Sequence, residues 1–371
     1  MKCWGDLMES WNDFQRPPKR WSPGALFFLA CGLFVVLLVV TLAVAAIAFA
    51  GRGSARLARE IAKIREAGEP ASAAELEEYY QLPRGVEDTT ELWLEATRPL
   101  ATEGFTADAG ELPIVGTGEG EIPPPGRPWP ELEAAEQLLE KYRTSLELMH
   151  KAAGLGGAAR YPTDFSLGFN MLLDHAQNLR GGARLLTLEA HVLAHRGDSA
   201  GAAQSIHTIL MLARSLEREP VLVSELVRLA CDGIAREQLQ LLLPTVDFSG
   251  TDLTRLQEEF RAVDYHEGLY QALLGERVTA IVAFESPGSV GLEIDVGEAR
   301  FWRFTQHGGF AFYLQHMDRL IAASKLPWTE ALQAAEQADT KLEDFTQNAS
   351  ILTKVTHVFP ALLAQLRQLS T

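Results

Sequence analysis

From Ala25 to Ala50 the chain reads ALFFLACGLFVVLLVVTLAVAAIAFA, 26 residues with no charge and a single hydroxyl, Thr41. No other feature constrains the fold as tightly. At 1.5 Å of rise per residue the run makes a helix of about 39 Å, against a bilayer hydrocarbon core of about 30 Å. In hydrocarbon, a helix is the one way a single segment can satisfy its own backbone. Pro23 and Gly24 punctuate the start, Gly51 and Gly53 the end, and Trp21 stands where an interfacial aromatic anchor belongs. The expectation is a transmembrane helix over 25–50, the signal anchor of a single-pass membrane protein, preceded by an N-terminal tail over 1–24. Three rival readings fit less well. Ala48-Phe49-Ala50 resembles a cleavage site, but the apolar region of a signal peptide is only about 7–15 residues. Phe28-Leu29-Ala30 before Cys31 resembles a lipoprotein signal, yet the chain stays apolar for 19 more residues. A buried core helix of this length would show a polar face somewhere.

Orientation is left undecided. Lys2, Arg16, Lys19 and Arg20 precede the run, and Arg52, Arg56, Arg59, Lys63 and Arg65 come after it. That balance leans towards a cytoplasmic domain under the positive-inside rule. A short tail before a long apolar run is, conversely, the plan of an anchor that exports the domain behind it.

Charge sets the partner class. The 371 residues carry 33 Lys and Arg against 49 Asp and Glu, a net charge of −16. The first 51 residues hold four basic and three acidic residues, so the remainder holds 29 and 46, a net of −17. An acidic surface repels phosphate backbones, and nucleic acid is excluded as a partner. The lipid bilayer, through residues 25–50, and a protein bound by the helical domain are the partners expected. Cys3, Cys31 and Cys231 are the only cysteines. Beyond the run Cys231 stands alone, which rules out a disulfide framework there and reads as a buried thiol rather than a nucleophile.

Beyond the run the chain reads as all-α, a stack or bundle of antiparallel helices in solenoid-like hairpins. Residues 51–109 read as juxtamembrane helices, the first over 55–67. Ser72-Ala73-Ala74-Glu75 and Asp88-Thr89-Thr90-Glu91 are capping patterns that open the next two. From Gly110 to Pro130, 11 of 21 residues are Gly or Pro, the composition of a spacer or an extended wrap. A helical domain over 131–371 comes next. Its first helix starts at Pro130 and stops at a glycine. A long helix runs from near Gly168 to Arg196, broken by Gly197-Asp198, and Ser199 caps the next, to Glu217. Pro220 opens a helix with Leu222, Leu226 and Leu229 on one stripe. Further helices are expected at 251–263, 265–284, 309–325, 328–343 and 350–369, with a loop over 286–300. Ala190, Gly197-Asp198, Ala202 and Ile206 resemble one tetratricopeptide hairpin, without a 34-residue echo elsewhere.

No motif announces a catalyst. There is no Walker loop and no GxSxG, and the glycines of GTGEG come after no strand. No cofactor is expected. His191 and His195 lie four apart on one helical face, but Val192 replaces the glutamate a zincin carries after its first histidine. With His175 they are the weak metal candidates, and ordinary helix-face histidines are the plainer reading. Arg160, in Arg160-Tyr161-Pro162, and Glu276 with Arg277, in LLGER, read first as structural ion pairs. Read more sharply, they are ligand contacts.

Taken together, Ile64-Arg65-Glu66-Ala67-Gly68-Glu69-Pro70, Arg160-Tyr161-Pro162-Thr163-Asp164, LRGGARLLTLEAHVLAHRGDSAGAA, EPVLVSELVRLA and LLGER resemble, in this order, an uncharacterised family of membrane-anchored helical proteins abundant in planctomycete-type bacteria. The resemblance covers roughly residues 55–325 and implies an architecture, one anchor and one helical domain. That family has no assigned activity, so no catalytic residues carry over.

The function expected from the residues is therefore an interaction or scaffolding module held at a membrane. The alternatives are a membrane-tethered ligand-binding sensor with its pocket near Arg160 and Arg277, and a hydrolase built on His175, His191 and His195.

Overall fold

A computed structural model describes residues 23–286 and 296–348. Among these residues the chain forms thirteen α-helices, two 3-10 turns and no β-strand. The helices are α1 (Pro23–Glu66), α2 (Ala73–Tyr79), α3 (Thr90–Thr97), α4 (Glu103–Ala109), α5 (Leu132–Lys141), α6 (Arg143–Leu155), α7 (Asp174–His195), α8 (Ser199–Arg214), α9 (Leu222–Leu242), α10 (Gly250–Arg261), α11 (Tyr265–Glu285), α12 (Val296–Ser324) and α13 (Trp328–Asn348). The expected helix over 350–369 lies outside the described residues, as does 287–295 of the expected loop.

The main core is built round the α7–α8 hairpin, with α9 packed on both helices and α3 on α6. Gly197 makes the turn at φ 79°, and Asp198 accepts the Gly201 N–H at 2.8 Å, so the cap is Asp198 rather than Ser199. Ala190, Ala202 and Ile206 are fully buried, as the spacing of small residues predicts. A second core joins the lower part of α1 (Leu57, Ile61, Ile64) to α11 and α12. A third, smaller one sets Leu76 and Tyr80 against Phe165, Val221 and Val278.

Several boundaries differ from the expectation. Gly51 and Gly53 do not end α1, which is continuous from Pro23 to Glu66. A helix-interior glycine costs about 1 kcal/mol. At Gly53 the missing side chain permits a close crossing: a Cβ there would meet the Gly308 backbone nitrogen of α12 at 3.0 Å. The single helix expected from Pro130 is two helices, α5 and α6, that meet at Tyr142. There Tyr142 packs edge-on against Phe105 and donates to Asp108 at 2.8 Å, so tertiary contacts override the helical run. Gly168 has φ 56° and delays α7 until Asp174.

Residues 110–130 form a wrap and not a spacer between two bodies. Leu112 and Trp129 are buried in the same core as helices on either side. Finally, α9 turns Leu226 and Leu229 to solvent, while Glu225, Arg228 and Asp232 face inward. The inward charges are matched: Arg228 makes a bidentate pair with Glu225 at 2.6 and 2.8 Å. Of the leucine stripe, Leu222 is half-buried and Leu226 and Leu229 lie on the outer face.

Candidate functional site

Four stretches that the sequence sets apart meet in one seam. Tyr161 is fully buried. Its ring stacks on His175 at 4.6 Å and 12°, and its N–H donates to the Tyr80 hydroxyl at 2.9 Å. Its own hydroxyl lies 2.7 Å from Ser215 Oγ. Ser215 donates to the Leu212 carbonyl at 2.6 Å, which makes Tyr161 the donor of the pair. His175 Nε2 lies 3.0 and 2.9 Å from the two Glu219 oxygens, and Thr163 donates to Glu219 at 2.7 Å. The Glu219 carboxylate is fully buried, and imidazole and hydroxyl together satisfy it. Next to it, Pro220 presents its carbonyl to Gly275, where a Cβ would fall 1.6 Å away. Only glycine allows α11 this close.

The seam is not a catalytic constellation. Burial pushes the Tyr161 phenol well above its ordinary value, with the neighbouring Glu219 acting in the same direction. Tyr80 is displaced the same way, again chiefly by burial. Neither phenol is a base near neutral pH, and Ser215 has already committed its proton to a backbone carbonyl.

Arg277 is buried and pairs with Glu69 at 2.9 Å and Asp318 at 3.1 Å, rather than with the adjacent Glu276. Consecutive residues on a helix point apart. The half-buried Glu276 has interactions of its own. Arg160 donates from Nε to the Tyr80 carbonyl at 2.7 Å, covers the Tyr80 ring at 5.2 Å and pairs with Glu77. It borders an open groove of about 590 Å³ with Asp164, and Arg277 is not part of that groove's wall. The two arginines do not meet in that groove.

The histidines do not converge. His175 and His191 stand sixteen residues apart on α7, about 24 Å of helix rise. His191 is buried with no hydrogen-bond partner for Nδ1. Burial, with His195 adding to it, pushes its imidazole down to about 4. His195 Nε2 meets the Pro123 carbonyl at 2.8 Å and its ring lies 5.2 Å from Trp129, which pins the 110–130 wrap. No group of three or more metal-binding side chains occurs among the described residues. Burial raises the Cys231 thiol to about 12, so it is a packing residue.

One arrangement has no sequence signal. His150 links Thr208 (Nδ1, 2.8 Å) to Glu189 (Nε2, 2.8 Å), a hydroxyl–imidazole–carboxylate chain drawn from three helices. Thr208 is fully buried and donates to the Gln204 carbonyl at 2.9 Å. The chain therefore ties α6, α7 and α8 together, with its hydroxyl fully buried.

Outward from the seam opens a two-lobed cleft. One lobe, about 550 Å³, is walled by Tyr79, Tyr80, Glu217, Arg218, Asp264 and Glu267. The other, about 440 Å³, is walled by Trp93, His207, Arg255 and Glu259. Gly157, Arg214 and Ser215 belong to both lobes. Their dimensions suit a small ligand. Among the described residues Glu217 makes no side-chain hydrogen bond or ion pair, and burial pushes its carboxyl above the usual range. The one trace of this cleft in the sequence is Arg214-Ser215-Leu216-Glu217-Arg218, dense in charge between an apolar helix and Pro220. Comparison of the chain with models of protein families, with curated proteins and with solved structures finds no match.

Proposed function

We propose that this chain is a single-pass membrane protein whose acidic helical domain docks a protein partner. The observation that carries the docking reading is α9. It exposes Val223, Leu226 and Leu229 on one face while burying Glu225, Arg228 and Asp232. Such an inversion leaves an unpartnered apolar strip. With a net charge of −17 beyond residue 51, the partner that fits is a protein with an apolar patch ringed by basic residues.

The anchor rests on the 26-residue uncharged run. Phe27, Phe28, Phe34, Val44 and Ile47 within it are more than half exposed, an arrangement suited to lipid and costly in water. Thr41 donates back to the Leu37 carbonyl at 2.7 Å, leaving no bare hydroxyl proton. Among the residues whose side chains are described, no helix is long and apolar enough to cross a membrane. Seven positions of the run, Ala25, Leu26, Leu42, Ala43, Ala46, Phe49 and Ala50, lie outside that set. The resemblance to membrane-anchored helical proteins accords with one anchor and one domain.

Two variants of the full chain test the proposal. Each charge at the centre of a span costs about 2.5–3.5 kcal/mol. The double variant Val36→Lys, Val40→Lys is therefore expected to leave the membrane fraction that retains the wild type at alkaline pH. Equal retention of both overturns the anchor. A photo-crosslinker at position 226 is expected to capture a basic protein, and Val223→Asp to abolish that capture. Capture that ignores the substitution overturns the docking face.

A second reading, a membrane-tethered ligand-binding sensor, is favoured by the cleft, in whose wall Glu217 makes no side-chain hydrogen bond or ion pair among the described residues.

A further inference from the structure

α12 and α13 are joined by residues 325–327 and pack side by side, with His316 and Asp339 3.5 Å apart. From Asp339 to Asn348 α13 rises about 14 Å, and from His316 back to Gly308 α12 covers about 12 Å. Asn348 therefore stands close to level with Gly308, which is where α1 crosses at Gly53. Gly53 comes just after Ala50, the last residue of the apolar run. The chain thus leaves α13 at the height where α1 leaves the bilayer. The other end of α13 is the one near α9: His266 stacks on Trp328 at 4.3 Å, and Arg228 donates to the Asp264 carbonyl at 3.3 Å. That end is about 30 Å of helix rise from Asn348.

The 23 residues from Ala349 to Thr371 are unlike the domain in charge. They hold Lys354 and Arg367 and no Asp or Glu, which leaves 27 basic against 46 acidic residues in 52–348. They are also sharply two-sided. At 3.6 residues per turn, all nine large apolar residues from Ile351 to Leu369, among them Val355, Phe359, Leu362 and Leu366, fall in one arc of about 140°. The rest of the circle holds polar residues, two alanines and Pro360. Lys354 and Arg367 stand one on each flank of the apolar arc, where long basic side chains reach lipid phosphates while their stems stay in hydrocarbon. Pro360 falls on the polar arc, so the backbone carbonyl it frees is on the side facing water.

We infer that residues 350–369 form an amphipathic helix lying along the surface of an anionic bilayer, a second attachment beside α1 on the side where the domain stands. The inference rests on the anchor reading above. An apolar arc this wide needs cover, and lipid is the apolar phase at the height of Asn348. The α9 strip lies towards the far end of α13. Two attachments at one level fix the tilt of the domain, which a single helix leaves free.

The test is spin-label accessibility in the full chain, reconstituted in vesicles of phosphatidylcholine and phosphatidylglycerol. Single cysteines are placed in a chain carrying Cys3→Ala, Cys31→Ala and Cys231→Ala. Oxygen concentrates in lipid and a nickel chelate stays in water. The ratio of oxygen to nickel accessibility is expected to be about tenfold higher at Val355→Cys, Leu362→Cys and Leu366→Cys than at His357→Cys, Ala364→Cys and Gln368→Cys. Leu362→Asp with Leu366→Asp is expected to open the Val355→Cys label to nickel while the domain keeps its wild-type melting midpoint. Equal nickel access on both arcs overturns the inference. Apolar-arc labels that neither reagent reaches, or a lowered midpoint in the aspartate variant, overturn it in favour of packing against protein. A label at Val36→Cys separates the two readings. Nickel access at Val36→Cys overturns the anchor and this inference with it. A lipid-shielded Val36→Cys beside a water-exposed Leu362→Cys overturns this inference alone.

Discussion

His191 shows how one side chain can set the acid limit of the molecule. Its imidazole is held near 4 by burial, against about 6.5 in an unfolded chain. Between those values the unfolded state binds the proton and the folded state does not. Stability is therefore complete above the unfolded value and is lost as pH falls towards the folded one. Between pH 7 and pH 5 the wild type is expected to lose about 2 kcal/mol through this group. His191→Leu, read by denaturant melts at both pH values, is expected to lack that loss. An identical pH dependence in the two proteins would remove His191 from the account. Nothing in the sequence separates His191 from His195, since both lie on one helical face. The neighbour separates them: His195 reaches the Pro123 carbonyl, and His191 reaches nothing with Nδ1.

At the scale of elements, helices were legible where pattern and caps agree. The α7–α8 hairpin, α10, α11 and α13 start within a residue or two of the positions their periodicity implies, apart from the delay of α7 at Gly168. Where a tertiary contact competes, local preference loses, as at Tyr142 and Gly53. The crossing of α11 over the turn before α9 is the sharpest such contact. Gly275→Ala would set a methyl group 1.6 Å from the Pro220 carbonyl. Backbone on one side and helix on the other leave no side chain free to yield. The substitution is expected to cost about 3 kcal/mol, the upper part of the overpacking range. Thermal unfolding checks this, with Gly233→Ala as the control, since that glycine on α9 has open space around it. Equal melting shifts in the two variants would mean that the Gly275 crossing relaxes freely.

For the molecule as a whole, the 110–130 wrap decides whether there are one or two bodies. Composition alone reads it as a spacer or an extended wrap. The structure buries Trp129 against His195 and shares one core between residues before and after the wrap. Truncating a buried tryptophan typically costs about 3–5 kcal/mol. Trp129→Ala is therefore expected to open the wrap to limited proteolysis between Gly116 and Gly126, whereas the wild type resists cleavage there. Ready cleavage of the wild type at those glycines would restore the spacer.

The sequence alone determined the helical class, the apolar run and most of the helix ends, because periodicity, caps and glycine stops are local and act within a few residues. It also marked, without relating them, Arg160-Tyr161, His175, Glu219-Pro220 and Gly275. Only the tertiary structure decided that most of these form one buried seam, that Arg277 answers to Glu69 and Asp318, and that α9 faces Leu226 and Leu229 outward. It alone placed Glu217 and Arg255 in the walls of one cleft. The physical reason is distance along the chain. Partners such as Tyr161 and Ser215, 54 residues apart, are matched by packing, and packing leaves no period in a single sequence.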